Sequence, residues 1–117
     1  MPTVLEQIST ALQAGARAGA TAASSAGRDL TQDVENFVIP HLQDIAAQVA
    51  SITQKRIDGI YTDVTAQDLL ASESDAIKTI IETITSLVVY EVQTILNAIV
   101  SALATAVNSA VGFTLLK

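Results

Sequence analysis

The chain has 117 residues, twelve acidic against six basic, a net charge of −6, no cysteine and no tryptophan, and half of its residues are hydrophobic. That length suits one domain, and the lack of cysteine excludes disulfides and thiolate metal sites. The basic residues are scattered, with Lys55-Arg56 as the one adjacent pair, which argues against a phosphate-binding surface for nucleic acid and against electrostatic recruitment to anionic lipid. The aromatic residues are only Phe37, Tyr61, Tyr90 and Phe113. The apolar mass is therefore Ala, Val, Ile and Leu, which bury little area each and suit close helix-helix contact.

Residues 1–20 do not read as a signal peptide, since Met1-Pro2-Thr3 is no basic n-region and Gln7, Gln13 and Arg17 interrupt any apolar stretch. Thr3-Val4-Leu5-Glu6 has the pattern of a capping box, which predicts a helix from Val4. This first helix, about 4–27, is rich in Ala and Gly. Gly15, Gly19, Ala23 and Gly27 recur every four residues beside Ala14, Ala18, Ala22 and Ala26. Such columns permit very close backbone approach, although each Gly costs about 1 kcal/mol of helix propensity relative to Ala.

Gly27-Arg28-Asp29 is the first expected break, with Asp29 or Thr31 as the next cap. A second helix, about 30–58, carries the stripe Val38, Leu42, Ile45, Val49 and Ile52, spaced for packing along a partner. Pro40 removes a backbone donor within it and predicts a kink or restart near Ile39. Gly59-Ile60-Tyr61-Thr62-Asp63 reads as a tight connection between antiparallel helices, with Gly59 as the stop and Thr62 or Asp63 as the next cap.

The third helix is expected over about 63–112, some 70 Å at the α-helical rise, with Ser72-Glu73-Ser74 as its one weak point. After Glu91 no charge occurs until Lys117, a run of 25 residues (92–116). That length meets the requirement for a membrane span. Gln93, Asn97, Ser101, Thr105, Asn108 and Ser109 nevertheless put a weakly polar stripe on it, and Ala98, Ala102, Ala106 and Ala110 form a second small-residue column.

No constellation commits to a chemistry. His41 is the only histidine, with Asp44 as its one local carboxylate, and reads as a solvated or capping residue. Asp58, Asp63, Asp68, Glu73 and Asp75 gather around the predicted turn without the spacing of a calcium loop, and read as a solvated acidic turn. The serines Ser24-Ser25 and Ser72/Ser74 have no nucleophile elbow and no second histidine, and Gly15-Ala16-Arg17-Ala18-Gly19 lacks the ending of a phosphate loop. The expectation is no enzyme, no cofactor and no metal.

The fold class expected is all-α, a single domain over 1–117: an elongated helical hairpin or bundle of two to three long helices with an Ala/Gly-rich N-terminal helix. The stripe Val38–Ile52 would pack on Leu69–Val88. The two small-residue segments, 10–27 and 92–116, would remain to seek each other, other copies or lipid. The function expected is that of a structural protein that homo-oligomerises into a tube, filament or pore, in a virion or envelope setting, with 92–116 as a possible membrane contact. Its candidate contact residues are Gly15, Gly19, Ala23, Ala98, Ala102, Ala106, Ala110, Asn97, Ser101 and Thr105. If Ala102 and Ala106 line that contact, changing both to Leu breaks the assembly. The alternative is a soluble helical-hairpin module that binds a partner protein.

Overall fold

The computed structural model describes residues 3–25, 27–84 and 87–116. Met1 and Pro2, Ala26 of the second small column, and Lys117, the charge that closes the uncharged run, lie outside them. The described residues form five α-helices: α1 Val4–Ala23, α2 Thr31–Phe37, α3 Ile39–Ile57, α4 Asp63–Glu82 and α5 Val89–Val111. They pack into a globule of 49 × 28 × 21 Å with a radius of gyration of 14.2 Å. The all-helical class is as expected, but the hairpin of two to three long helices is corrected: each predicted long helix is shorter or divided, and the pieces fold back on one another.

α1 starts where the capping residues place it. The Thr3 hydroxyl accepts from the Glu6 amide at 3.1 Å and donates to the Glu6 carboxylate at 3.2 Å. The helix ends at Ala23 rather than 27, because the Ser24 hydroxyl donates to the Ala20 carbonyl at 2.7 Å and accepts from the Leu30 amide at 2.9 Å. That hydroxyl competes with the helical ladder and draws the chain out of it. Ser25 and Arg28 then exchange two backbone hydrogen bonds across a tight turn whose Gly27 has φ +80°.

The predicted helix 30–58 is two helices. The cap residue of α2 is Leu30, with no side-chain bond, rather than Asp29 or Thr31; Asp29 leads into the helix by accepting from the Thr31 amide at 3.0 Å and from the Thr31 hydroxyl at 2.6 Å. The break falls at Val38, and Pro40 sits in the first turn of α3, where its missing N–H leaves no helical bond unmade. Val38, Leu42, Ile45, Val49 and Ile52, the predicted stripe, are all buried.

α3 and α4 form the expected antiparallel hairpin. Gly59 has φ +77° and donates to the Arg56 carbonyl at 3.1 Å. The Thr62 hydroxyl, rather than Asp63, caps α4 by accepting from the Thr65 amide at 3.2 Å. A side chain at position 59 would meet open space, so the cost of replacing this glycine is purely conformational. Gly59→Val is expected to lower stability by about 1–2 kcal/mol, the penalty for a left-handed non-glycine residue, read as a shift in denaturant midpoint at unchanged slope.

The long helix 63–112 is corrected as well. Ser72-Glu73-Ser74 stays inside α4, where the Ser72 and Ser74 hydroxyls bond back to the carbonyls four residues earlier. The interruption comes instead between Glu82 and Val89. The Thr83 hydroxyl donates to the Ile80 carbonyl at 2.6 Å, and Thr83, Ile84, Val88 and Val89 are β-branched residues that resist helix continuation. The break lets each half choose a different partner. α4 packs chiefly on α3 and buries Ala66, Leu70, Ile77 and Ile81, whereas Leu69 and Val88, which the predicted pairing had used, are exposed. α5 packs chiefly on α1.

The candidate interaction surface of α1 and α5

The two predicted small-residue columns meet each other within the chain. A Cβ built on Gly15 would lie 2.9 Å from the Ala102 Cβ and 3.0 Å from the Ala98 carbonyl oxygen, and one built on Gly19 would lie 2.9 Å from the Ile95 Cα. Rising through α1 from 15 to 19 moves down α5 from 102 to 95, so the helices are antiparallel with their backbones nearly touching. Only hydrogen at positions 15 and 19 permits this approach.

Of the predicted contact residues, Gly15, Gly19 and Ala23 are therefore buried, and Ala98, Ala102, Ala106 and Ala110 are half-buried along the same seam. Gly27, the fourth member of the first column, lies beyond the helix end and is exposed. Asn97, Ser101 and Thr105 are exposed. The fully buried positions of α5, Glu91, Ile95, Ile99, Leu103 and Val107, recur every fourth residue as one stripe. This helix is the one described element long and apolar enough to cross a membrane by length and composition, with a mean hydropathy of 1.6, yet 22% of its most apolar window is buried in the fold. The rest is half-buried or wet, and its wet side is the polar stripe.

Above the seam an open groove of about 770 Å³ runs along the outer surface. Ala14 and Ala18 line one wall, Ala106 the other, with Ser101 and Thr105 at its rim; Glu6 is the one charged residue in the lining. The shallowness follows from the sequence: two helices drawn together by glycine line the groove mostly with the methyl and hydroxyl groups of Ala, Ser and Thr. α1 and α5 carry three charges between them, Glu6, Arg17 and Glu91.

Glu91 is 4% exposed and lies at the first turn of α5. Arg28 grips it in a fork, Nε to Oε2 at 2.7 Å and Nη2 to Oε1 at 2.6 Å, and Oε1 also accepts from the Val88 amide at 2.9 Å. This return bond is half of a capping box; Val88 has no side-chain oxygen for the other half. The Arg28 fork, then the Val88 N–H, hold the Glu91 carboxyl down at about 2, well below its ordinary 4.5, against a smaller opposing effect of burial. The pair ties the turn after α1 to the start of α5 across 63 residues. Sequence reading treated both residues as isolated charges; the one available signal was Glu91 as the last charge before an apolar helix.

At the other end of α5, Asn108 is half-buried and turns back onto its own chain. Its carboxamide holds the backbone of Leu115 and Leu116. His41 and Asp44 are exposed, and Asp63 pairs with Arg56. Burial pushes the Glu73 carboxyl above its ordinary value. Among the described residues no three His, Cys, Asp or Glu side chains converge as metal ligands. No protein-family model, curated protein or solved structure matches this chain.

Proposed function

We propose that this chain is a non-enzymatic structural protein that self-associates through the outer face of α1 and α5. The observation that supports the reading is the distribution of charge. A chain of net charge −6 repels its own copies at most orientations, and repulsion is weakest where charge is sparse. That place is the α1/α5 groove, where Ala, Ser and Thr permit a second pair of helices to approach closely and where Glu6 alone is charged. A copy presents the same sparsely charged face, with Glu6 its one charge, so the contact forms between like surfaces.

Polar side chains at the rim favour a wet subunit contact over lipid, because Ser101 and Thr105 in hydrocarbon would lack partners beyond their own helix. The Thr105 hydroxyl already donates to the Ser101 carbonyl at 3.1 Å. Assembly into a filament, tube or pore and a virion or envelope setting belong to the same proposal. Docking of a partner protein's helix in the groove is the competing outcome.

The double change Ala102→Leu/Ala106→Leu is a poor probe, since Ala102 already touches α1 of its own chain at the Gly15 position. The better probe is Ala14→Glu/Ser101→Glu, which charges the groove at two exposed positions without entering the seam. Light scattering after chromatography, with and without detergent, is expected to show an oligomer in plain buffer for the unaltered chain and a folded monomer for the variant. A monomer for both sinks the proposal in favour of partner docking. An unaltered chain soluble only in detergent replaces the wet contact with a bilayer.

A further inference from the structure

We propose that the turn between α3 and α4 is a membrane-docking tip, and that its partner is the surface of a zwitterionic lipid bilayer. Residues 57–60 and 62–65 are exposed, and a side chain at Gly59 would meet open space, so the turn projects from the fold. It carries three large apolar residues in water: Ile57, Ile60 and Val64 are exposed by 43%, 66% and 66%. Phe113, exposed beyond the end of α5, belongs to the same patch, because the Arg56 guanidinium lies over its ring at 5.1 Å from the centre.

The backbone of the turn suits lipid. The Asp58 amide donates to the Gln54 carbonyl at 2.9 Å, Gly59 to Arg56 at 3.1 Å, and Ile60 and Tyr61 both to Lys55 at 2.8 and 3.2 Å. An irregular segment enters an apolar layer only when its donors are paired within the chain. These four donors are paired already, so they offer nothing to a partner that docks through main-chain bonds.

The charges of the turn point to the same partner. Gln54 donates to the Asp58 carboxylate at 3.0 Å, Arg56 pairs with Asp63, and Lys55 lies 5.5 Å from the centre of the Tyr61 ring. Lys55 and Arg56 cancel Asp58 and Asp63, which leaves the tip neutral on a chain of net charge −6. A headgroup layer that carries both signs is complementary to two cations and two carboxylates, whereas an anionic layer is opposed by the rest of the chain. Tyr61 and Phe113, each with a cation over its ring, suit the headgroup level, where amphipathic rings and long basic side chains collect. Ile57, Ile60 and Val64 then enter the boundary of the acyl chains. Val88, Val89 and Tyr90 are also exposed, but their nearest charges along the chain are Glu82 and Glu91, with no adjacent basic pair. The tip lies on α3 and α4, apart from the α1/α5 groove, so docking does not require self-association.

The test is flotation of the full-length chain with phosphatidylcholine vesicles. The unaltered chain is expected to rise with them, and Ile60→Ser/Val64→Ser to partition less by about tenfold or more, since two aliphatic side chains give way to hydroxyls. Val89→Ser/Tyr90→Ser is expected to float as the unaltered chain does, and phosphatidylserine mixed into the vesicles to weaken flotation. Ile60→Cys carrying a polarity-sensitive dye, on a chain with no other cysteine, is expected to shift its emission to the blue when vesicles are added. An unaltered chain that does not float, or Ile60→Ser/Val64→Ser floating equally well, overturns the proposal. So does flotation that requires phosphatidylserine, flotation lost only in Val89→Ser/Tyr90→Ser, or a dye at position 60 that stays in water. Light scattering without lipid reads the groove contact separately, so either proposal can fail alone.

Discussion

Gly15→Ala/Gly19→Ala is expected to destabilise the chain even though each change improves the intrinsic helix propensity of α1. Two effects oppose each other. Replacing glycine by alanine inside a helix contributes about 1 kcal/mol per site. The new methyl groups, however, fall 2.9 Å from the Ala102 Cβ and 2.9 Å from the Ile95 Cα, with the Ala98 carbonyl oxygen at 3.0 Å. Two of these three neighbours are backbone, which has no rotamer to move, so α5 must retreat along much of the seam. Overpacking of this kind typically costs 1–3 kcal/mol per site, and the loss of contact along a shared interface adds to it. The net expected loss is on the order of 2 kcal/mol, measured by denaturant unfolding. Because propensity alone predicts a gain of the same size, the sign of the change decides which effect wins. A stabilised variant would mean that α1 and α5 do not approach as closely as described.

Glu91→Gln is expected to produce the largest loss of stability among substitutions that neutralise a single carboxylate, and a loss that depends on acid. The folded carboxyl titrates at about 2, below its ordinary 4.5, so the ionised form favours the fold. Its contribution is fully present above roughly pH 5. It fades as the pH falls from about 4.5 towards about 2, the range in which the unfolded chain takes up the proton first. The unaltered chain and Glu91→Gln should therefore differ by a constant amount near neutrality and converge in acid. Thermal unfolding from pH 7 to pH 2.5 follows that convergence directly. Glu35→Gln is the control: its pair with Arg17 is exposed on both sides, 53% and 41%, and water and salt screen such pairs to little net effect. Equal losses for the two variants would mean that the burial of Glu91, 5% exposed at its side chain beside an Arg28 that is 41% exposed, adds nothing to the pair.

Local features of the fold were legible because their causes are local. Thr3 with Glu6, Thr62 before α4, Gly59 in the left-handed region and Pro40 in a first turn each follow from bonds or clashes within a few residues. The stripe Val38–Ile52 was legible for the same reason, since period and burial are linked through one helix. The small-residue columns were visible as a demand for close contact, and the sequence by itself determined an all-helical chain with two such faces, one early and one late.

Which partner satisfied that demand was decided only in three dimensions. A column of Gly and Ala is equally suited to another copy, to lipid-embedded helices or to the far end of its own chain; here Gly15 and Gly19 meet Ile95, Ala98 and Ala102. The break between α4 and α5 has the same character. The β-branched Thr83, Ile84, Val88 and Val89 weaken the helix there, as Ser72–Ser74 was expected to do earlier, but what settles the break is that α4 packs on α3 while α5 packs on α1. Arg28 with Glu91, and Asn108 with Leu115 and Leu116, were hidden for another reason. A charged fork or a carboxamide clamp depends on where two distant backbones come to rest, and no spacing along the chain encodes that distance. Short-range hydrogen bonding set the helices, and long-range packing chose which of their faces remained for the outside world.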